Sequence, residues 1–407
     1  MNAIATPTEA NACPVPTSFR DSIKITVFIA WLFYLSFVGR IIFGPMMPVI
    51  EKELEINHSQ AGTLFLMIAA GQFIGQVFSG LLSSRINHRG SLMVSVFLLG
   101  LCLLAFGLIR STIYMRIFLF LTGLAGGLHI PSAIATITAE VRPQDWGKAL
   151  GVHQTAPPLS FASAPLIVAA LIVLFSWHTI LVALGVVALI TVAAYWRYGC
   201  GGLFPGQLPN PVIVKTLLSK GSFWIMVLLF AMAMGATAGL FSMMPLFLVN
   251  ERGMDLSVAN TLVGLSQLSG LFMAFCGGWL ADRFGQKATI AVLLILAGIC
   301  TVLIGWLQGI WMVMVIFVQP ALITAFYPAA FAAVSRIAPP SMRSVSSALA
   351  PSTAFLIGGG LIPTLIGYAG ETSSFALGIS LLGCFIMVGP VLVVFLRLGQ
   401  YDEEAGC

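Results

Sequence analysis

Long apolar runs, each closed by a charged cluster or a Pro/Gly break, recur from one end of the chain to the other. Each is near or above the roughly 20 residues a helix needs to cross a bilayer. Twelve such runs fall near 25–50, 59–82, 90–109, 117–139, 149–175, 178–196, 222–249, 258–281, 288–308, 309–335, 345–369 and 373–396. The boundary at 309 is the least marked, because only Gln308, Gly309 and Ile310 separate two apolar stretches. The runs lack the polar alternation of a barrel strand, and a segment crossing lipid must satisfy its own backbone groups, so helices are predicted. The expected fold class is an all-α membrane protein with twelve transmembrane helices.

Composition agrees. The chain is 59% hydrophobic and 8% charged, with a mean hydropathy of +1.01, whereas a soluble domain carries about 25% charged residues. No water-facing surface of ordinary size can be built from it. The polar, Pro/Thr/Ala-rich start lacks the basic-then-apolar pattern of a signal peptide and reads as a tail. The seven cysteines form no CxxC or Cys/His cluster, so neither a disulfide framework nor a metal site is implied.

Charge sets the orientation. With an even number of spans both ends share one side. Placing that side in the cytoplasm gives it Arg20, Lys24, Arg85, Arg89, Arg142, Lys148, Arg197, Lys215, Lys220, Arg283, Lys287, Arg336, Arg343 and Arg397, 14 of the 19 basic residues. Lys52, Arg110, Arg116 and Arg252 fall on the other side. This follows the positive-inside rule.

The chain also repeats itself. Segments around Pro131 ("HIPSAIATITAE") and Pro328 ("FYPAAFAAVSRI") correspond at an offset of about 198 residues, and Pro165 corresponds to Pro363. The expected organisation is a cytoplasmic tail at 1–21, a six-helix bundle at 22–197, a Gly/Pro-rich cytoplasmic linker at 198–221, a second six-helix bundle at 222–397 and a tail at 398–407. Duplicated six-span units are used by alternating-access transporters, with the site between the halves.

The loop after the eighth run, Gly278, Asp282, Arg283, Gly285 and Lys287, resembles the G-x-x-x-D-R-x-G-x-K signature of the major facilitator superfamily. The resemblance covers twelve spans, the linker and both loops that should carry the signature. It implies two pseudo-symmetric bundles and a gate in which the aspartate pairs with basic groups of the neighbouring bundle. The first copy departs from it: Ser84 replaces the aspartate and Asn87 the glycine, while Arg85 and Arg89 remain. Glu140 and Asp145 are candidate acids for that half of the gate, with solvated helix ends as the alternative. The fifth run keeps only the spacing of a second signature, seen in antiporters, its glycines mostly replaced by Ser or Ala.

Within the spans charge is scarce. Of the fourteen acidic residues only Glu140 and Asp282 approach a span. A buried carboxylate that relays protons or receives a cation is therefore not expected. Arg40, 16 residues beyond Lys24 and so about 24 Å along a helix, has no evident counter-ion. It either snorkels to the outer interface or holds an anionic substrate through paired hydrogen bonds. Its "R-x-x-x-x-P" surroundings resemble those of organic-anion carriers in the superfamily.

His129 and His153 lie within spans and are candidates for a coupling proton; packing is the other reading of each. His58, His88 and His178 are expected to be solvated. Gln154, Gln267, Gln319 and Tyr327, with Gln72, Gln76 and Asn260, are candidates for a cavity wall, or for hydrogen bonds between helices. Pro131 and Pro328 are expected to break or bend their helices beside that cavity.

These expectations amount to a secondary transporter in an inner membrane, with a small anionic substrate (carboxylate or sulfonate), protons as possible co-substrate, and the lipid bilayer around it. It is expected to act as a monomer, not as an enzyme, and without cofactor, metal or nucleic acid; no GxxxxGK[ST] is present. An exporter of drugs or lipophilic metabolites and a non-transporting membrane sensor are the alternatives.

Overall fold

The computed structural model describes residues 17–108, 111–208, 211–339 and 342–398. Most of the two expected tails, and Arg110, lie outside the described residues. Helices account for nearly all of the rest. Among the described residues, nine segments are long and apolar enough to span a bilayer. One of them, His58–Ala105, is two spans joined at a kink, with Asn87 at φ 61° and ψ 174°. Leu256–Phe284 supplies the eighth span, and the fifth is interrupted into Trp146–His153 and Ala156–Leu171. Twelve spans result, and their boundaries follow the apolar runs closely.

The chain ends and the linker share one face, here the linker face. Four helix starts at the opposite face are capped by short polar side chains. Asn57 forms a reciprocal pair with Gln60, and Ser176, Asp255 and Ser374 each accept from a first-turn N–H. Such caps satisfy donors that lipid cannot. The first helix, Phe19–Ile41, begins inside the stretch expected to be tail. Thr17 exchanges backbone hydrogen bonds with Glu140 and Arg142, and Asp145 accepts from the Phe19 N–H at 3.3 Å.

The interruptions are not where proline placed them. Thr112–Glu140 and Gly309–Arg336 run unbroken through Pro131 and Pro328; neighbouring elements in a membrane bundle readily compensate a missing N–H. The first span instead turns at Ile42. The seventh passes through a wider π-helical turn at Gly235–Gly239, and the eleventh does so at Leu356–Leu361. At the 198-residue offset the turn at 235–239 matches 37–41, the regular helix just before Ile42, so the two irregularities are neighbours and do not coincide. The loops do repeat: Gly285, at φ 84° and ψ 152°, stands at the repeat position of Asn87.

The halves meet at the opposite face. The His58 N–H donates to Glu371 at 3.0 Å, Asn260 Nδ2 to the Pro45 carbonyl at 3.0 Å, the Thr364 hydroxyl to the Gly62 carbonyl at 3.2 Å, and the Ser257 hydroxyl to the Ala169 carbonyl at 2.9 Å. A methyl on Gly62 would stand 2.7 Å from the Pro363 carbonyl oxygen, so glycine permits this approach. At the linker face, Gly147, Gly151 and Gly285 border open space.

Candidate functional site

Arg40 sits in the last turn of Phe19–Ile41 and is 4% exposed. Helical side chains tilt toward the N-terminus, and Nε accordingly donates to the Ser36 carbonyl at 2.9 Å. The side chain thus turns back into the first bundle, and it does not snorkel to the opposite face. Nη1 donates to Gln72 Oε1 from the second span, and Cζ lies 4.9 Å from the centre of the Phe37 ring. Gly126 on the fourth span makes the space: a Cβ there would stand 2.5 Å from Nε and 2.7 Å from Cζ. Arg40 forms no ion pair, and Nη2 has no hydrogen-bond partner among the described residues.

His129 and His153, both fully buried, join this group. Their rings are nearly parallel to Phe33, at 5.3 and 4.5 Å between centres, and 6.2 Å from each other. Among the described residues neither nitrogen of either ring has a hydrogen-bond partner, nor does the Ser36 hydroxyl. Buried polar atoms are almost always hydrogen-bonded, and each exception costs about 1–3 kcal/mol. One cluster on four spans therefore holds a cation, two imidazoles and a hydroxyl, all with bonding capacity left.

A second group lies in the other half. A small pocket of about 20 Å³ is bordered by Thr237, Gln267 and Gln319 among apolar side chains. Gln319 Nε2 donates to the Ala236 carbonyl at 3.0 Å, inside the π-helical turn. The Thr237 hydroxyl pairs with Tyr327 at 2.9 Å. Gln267 makes no hydrogen bond among the described residues. Phe37, Phe161 and Phe241 connect the two groups, at 5.4 and 4.8 Å between successive rings. Gln154 is exposed in the break of the fifth span and joins neither group. Asn260 is a bridge between the halves and not a cavity wall.

Several sequence expectations change here. The first span continues past Ile50 to Leu54 and so takes in Glu51 and Glu53, and the eleventh takes in Glu371. Glu51 is buried, and pairs with His58 Nδ1 at 2.9 Å. His88 and His178 are buried at 8% exposure, not solvated. Phe33, Ser36, Gly126 and Thr237 were not singled out from sequence. Each is an ordinary membrane residue whose role comes from a neighbour on another helix.

The expected gate residues stand at the linker face. Asp282, Arg283, Lys287 and Arg85 are exposed, and Arg283 lies over the Trp279 ring at 5.7 Å. Gly285 provides the positive-φ turn, and a Cβ on Gly278 would stand 4.0 Å from the Pro328 Cβ. Arg89 donates to the Trp196 carbonyl at 2.9 Å. Glu140 accepts from the Gly202 N–H of the linker. None of these forms an ion pair across the halves in this conformation. Asp145 pairs within its own half, with Lys148 at 2.7 Å. No cluster of three or more His, Cys, Asp or Glu suited to a metal occurs among the described residues.

The family model of the Major Facilitator Superfamily matches residues 29–363 and, a second time, 263–405. The 4-hydroxybenzoate transporter PcaK of Pseudomonas putida is 23% identical over 303 residues, 65% of this chain and 67% of that protein. The membrane sensor protein UhpC of Salmonella typhimurium is 23% identical over 289 residues, 65% of each chain. The aligned part thus spans about two thirds of either relative. A bacterial homologue of the human lysosomal transporter Spinster, solved in an inward-facing and occupied conformation, superposes with a TM-score of 0.79 at 16% identity, covering 94% of this chain and 97% of that one. With the sequence match spanning most of the chain and the fold shared over nearly all of it, the chain belongs to the Major Facilitator Superfamily, a family of membrane transporters and not of enzymes.

Proposed function

We propose that the protein is a secondary transporter that moves a small organic anion, a carboxylate or sulfonate, by alternating access, with proton coupling. The observation that carries this reading is Arg40: a buried guanidinium with no acidic partner and a free Nη2. Desolvating an unpaired charge costs several kcal/mol, and an anionic ligand supplies the missing counter-charge. Nη2 and one imidazole nitrogen offer it two donors. His129 or His153 takes up the coupling proton, since no carboxylate lies near them. The similarity to a transporter of 4-hydroxybenzoate, itself a carboxylate, supports the same substrate class.

In this reading the linker face is cytoplasmic, as the distribution of basic residues favours, and the membrane is a bacterial inner membrane. The conformation described is closed on the outer side by the His58–Glu371, Asn260–Pro45 and Thr364–Gly62 bonds. Asp282 and the basic residues around Arg85 and Arg89 form the inner gate when the molecule turns outward.

Flux into proteoliposomes loaded at different internal pH tests this. Uptake of an aromatic or aliphatic carboxylate, accelerated by a proton gradient, is expected. Binding without flux of any anion would favour the sensor reading suggested by the similarity to UhpC. Flux of lipophilic cations in place of anions would favour a drug exporter.

A further inference from the structure

The second-half pocket has a character of its own. No charged side chain borders it. Its wall is mostly aliphatic and aromatic, with Phe241 and Val263 among its apolar side chains and Thr237 and Gln267 among its polar ones. Of these, Gln267 is the group with a free amide, because Thr237 is already bonded to the Ala233 carbonyl and to Tyr327. A ring pathway leads to it from the cation: Arg40 lies over Phe37, Phe37 packs edge-on against Phe161, and Phe161 packs against Phe241 in the pocket wall. Each step is about 5 Å. The repeat sharpens the contrast, because the position matching Arg40 at the 198-residue offset is Ala238, inside the π-helical turn beside the pocket. One half is built to hold charge and the other to exclude it.

We infer that this pocket, about 20 Å³ in this closed conformation and wider once the halves separate, is a second binding site, for the uncharged body of the substrate, and that the substrate is an elongated monoanion. Its acid group lies at Arg40. Its apolar body, one or two rings or a chain of similar length, lies along Phe37, Phe161 and Phe241, and a neutral hydrogen-bonding group at the far end reaches Gln267. A second charge at that end is rejected, because it would enter a pocket without a counter-charge. This assignment rests on Arg40 holding the acid group, as proposed above.

The test measures dissociation constants on the full-length protein for acetate, benzoate, biphenyl-4-carboxylate, 4′-hydroxybiphenyl-4-carboxylate and biphenyl-4,4′-dicarboxylate. In the wild type, affinity should rise about tenfold or more as a ring is added. It should rise a further threefold to tenfold with the hydroxyl, and collapse for the dicarboxylate. Val263→Trp, which fills the pocket, should flatten the rise with ring number. Gln267→Leu, nearly isosteric and suited to a membrane helix, should remove only the hydroxyl preference. A flat wild-type series, or a series unchanged in both variants while binding still requires Arg40, overturns the second site alone. Binding that ignores Arg40→Gln overturns the anion reading on which it stands.

Discussion

Arg40 is the residue on which the proposed function turns, and its setting depends on what is missing beside it. Gly126 leaves room for the guanidinium where any Cβ would collide with Nε and Cζ. Gly126→Ala should destabilise the protein by about 1–3 kcal/mol, the usual cost of overpacking. Thermal unfolding should show most of that cost disappearing when Arg40→Gln is also present, because the colliding group is then shorter. Equal costs in the two backgrounds would place the strain elsewhere. The arginine itself was legible in the sequence as a lone charge in an apolar run. The glycine was not, since nothing in the fourth span says that its neighbour is a guanidinium. The same holds for Phe33, which aligns the two imidazoles from a third helix.

Among the helices, the spans were legible because lipid demands about 20 apolar residues and internally satisfied backbone. The interruptions were not, because proline is the breaking signal a sequence offers. The turns instead fall at Ile42, at His153–Ala156, and at two glycine-containing π-helical segments, which approach each other closely: a Cβ on Gly239 would stand 2.6 Å from the Gly358 carbonyl oxygen. The repeated loops give a sharper case. Asn87 holds the positive-φ conformation that its counterpart Gly285 adopts freely, helped by Oδ1 accepting from the Gly90 N–H at 2.8 Å. That region of backbone space is strained for any side chain by about 1–3 kcal/mol. Asn87→Ala, which loses the hydrogen bond and keeps the strain, should lower the unfolding temperature, whereas Asn87→Gly should leave it unchanged or raise it. Equal losses in both variants would show that the side chain, not the backbone, is what matters. The start of the first helix makes a pH-dependent contact. Lys148 and the Phe19 N–H hold the Asp145 carboxyl below its ordinary range, so its stabilisation is complete above the unfolded value and is lost as pH falls through the lower folded one. Below about pH 4, the wild type should lose an increment of stability that Asp145→Asn lacks at every pH; parallel profiles would refute the contact.

Both bundles together make a molecule fastened at one face. Asn260 ties the eighth span to the Pro45 carbonyl of the first, a bond between halves far apart in sequence that no pattern in either half announces. Asn260→Ala should weaken this closure by about 1 kcal/mol, near fivefold in the population open at the opposite face. In a background without native cysteines, a cysteine at Ser242, beside Gly44 across the seam, should then react faster with an impermeant thiol reagent from that side. An unchanged rate would mean that the bond does not hold the closed form. We propose that the unpaired guanidinium binds an anion, and anion-dependent thermal stabilisation of wild type beside Arg40→Gln tests this most directly. A carboxylate or sulfonate at 100 times its dissociation constant should stabilise the wild type by about 2.7 kcal/mol and leave a folded Arg40→Gln protein unmoved. Equal stabilisation of both, or none by any anion, would contradict it.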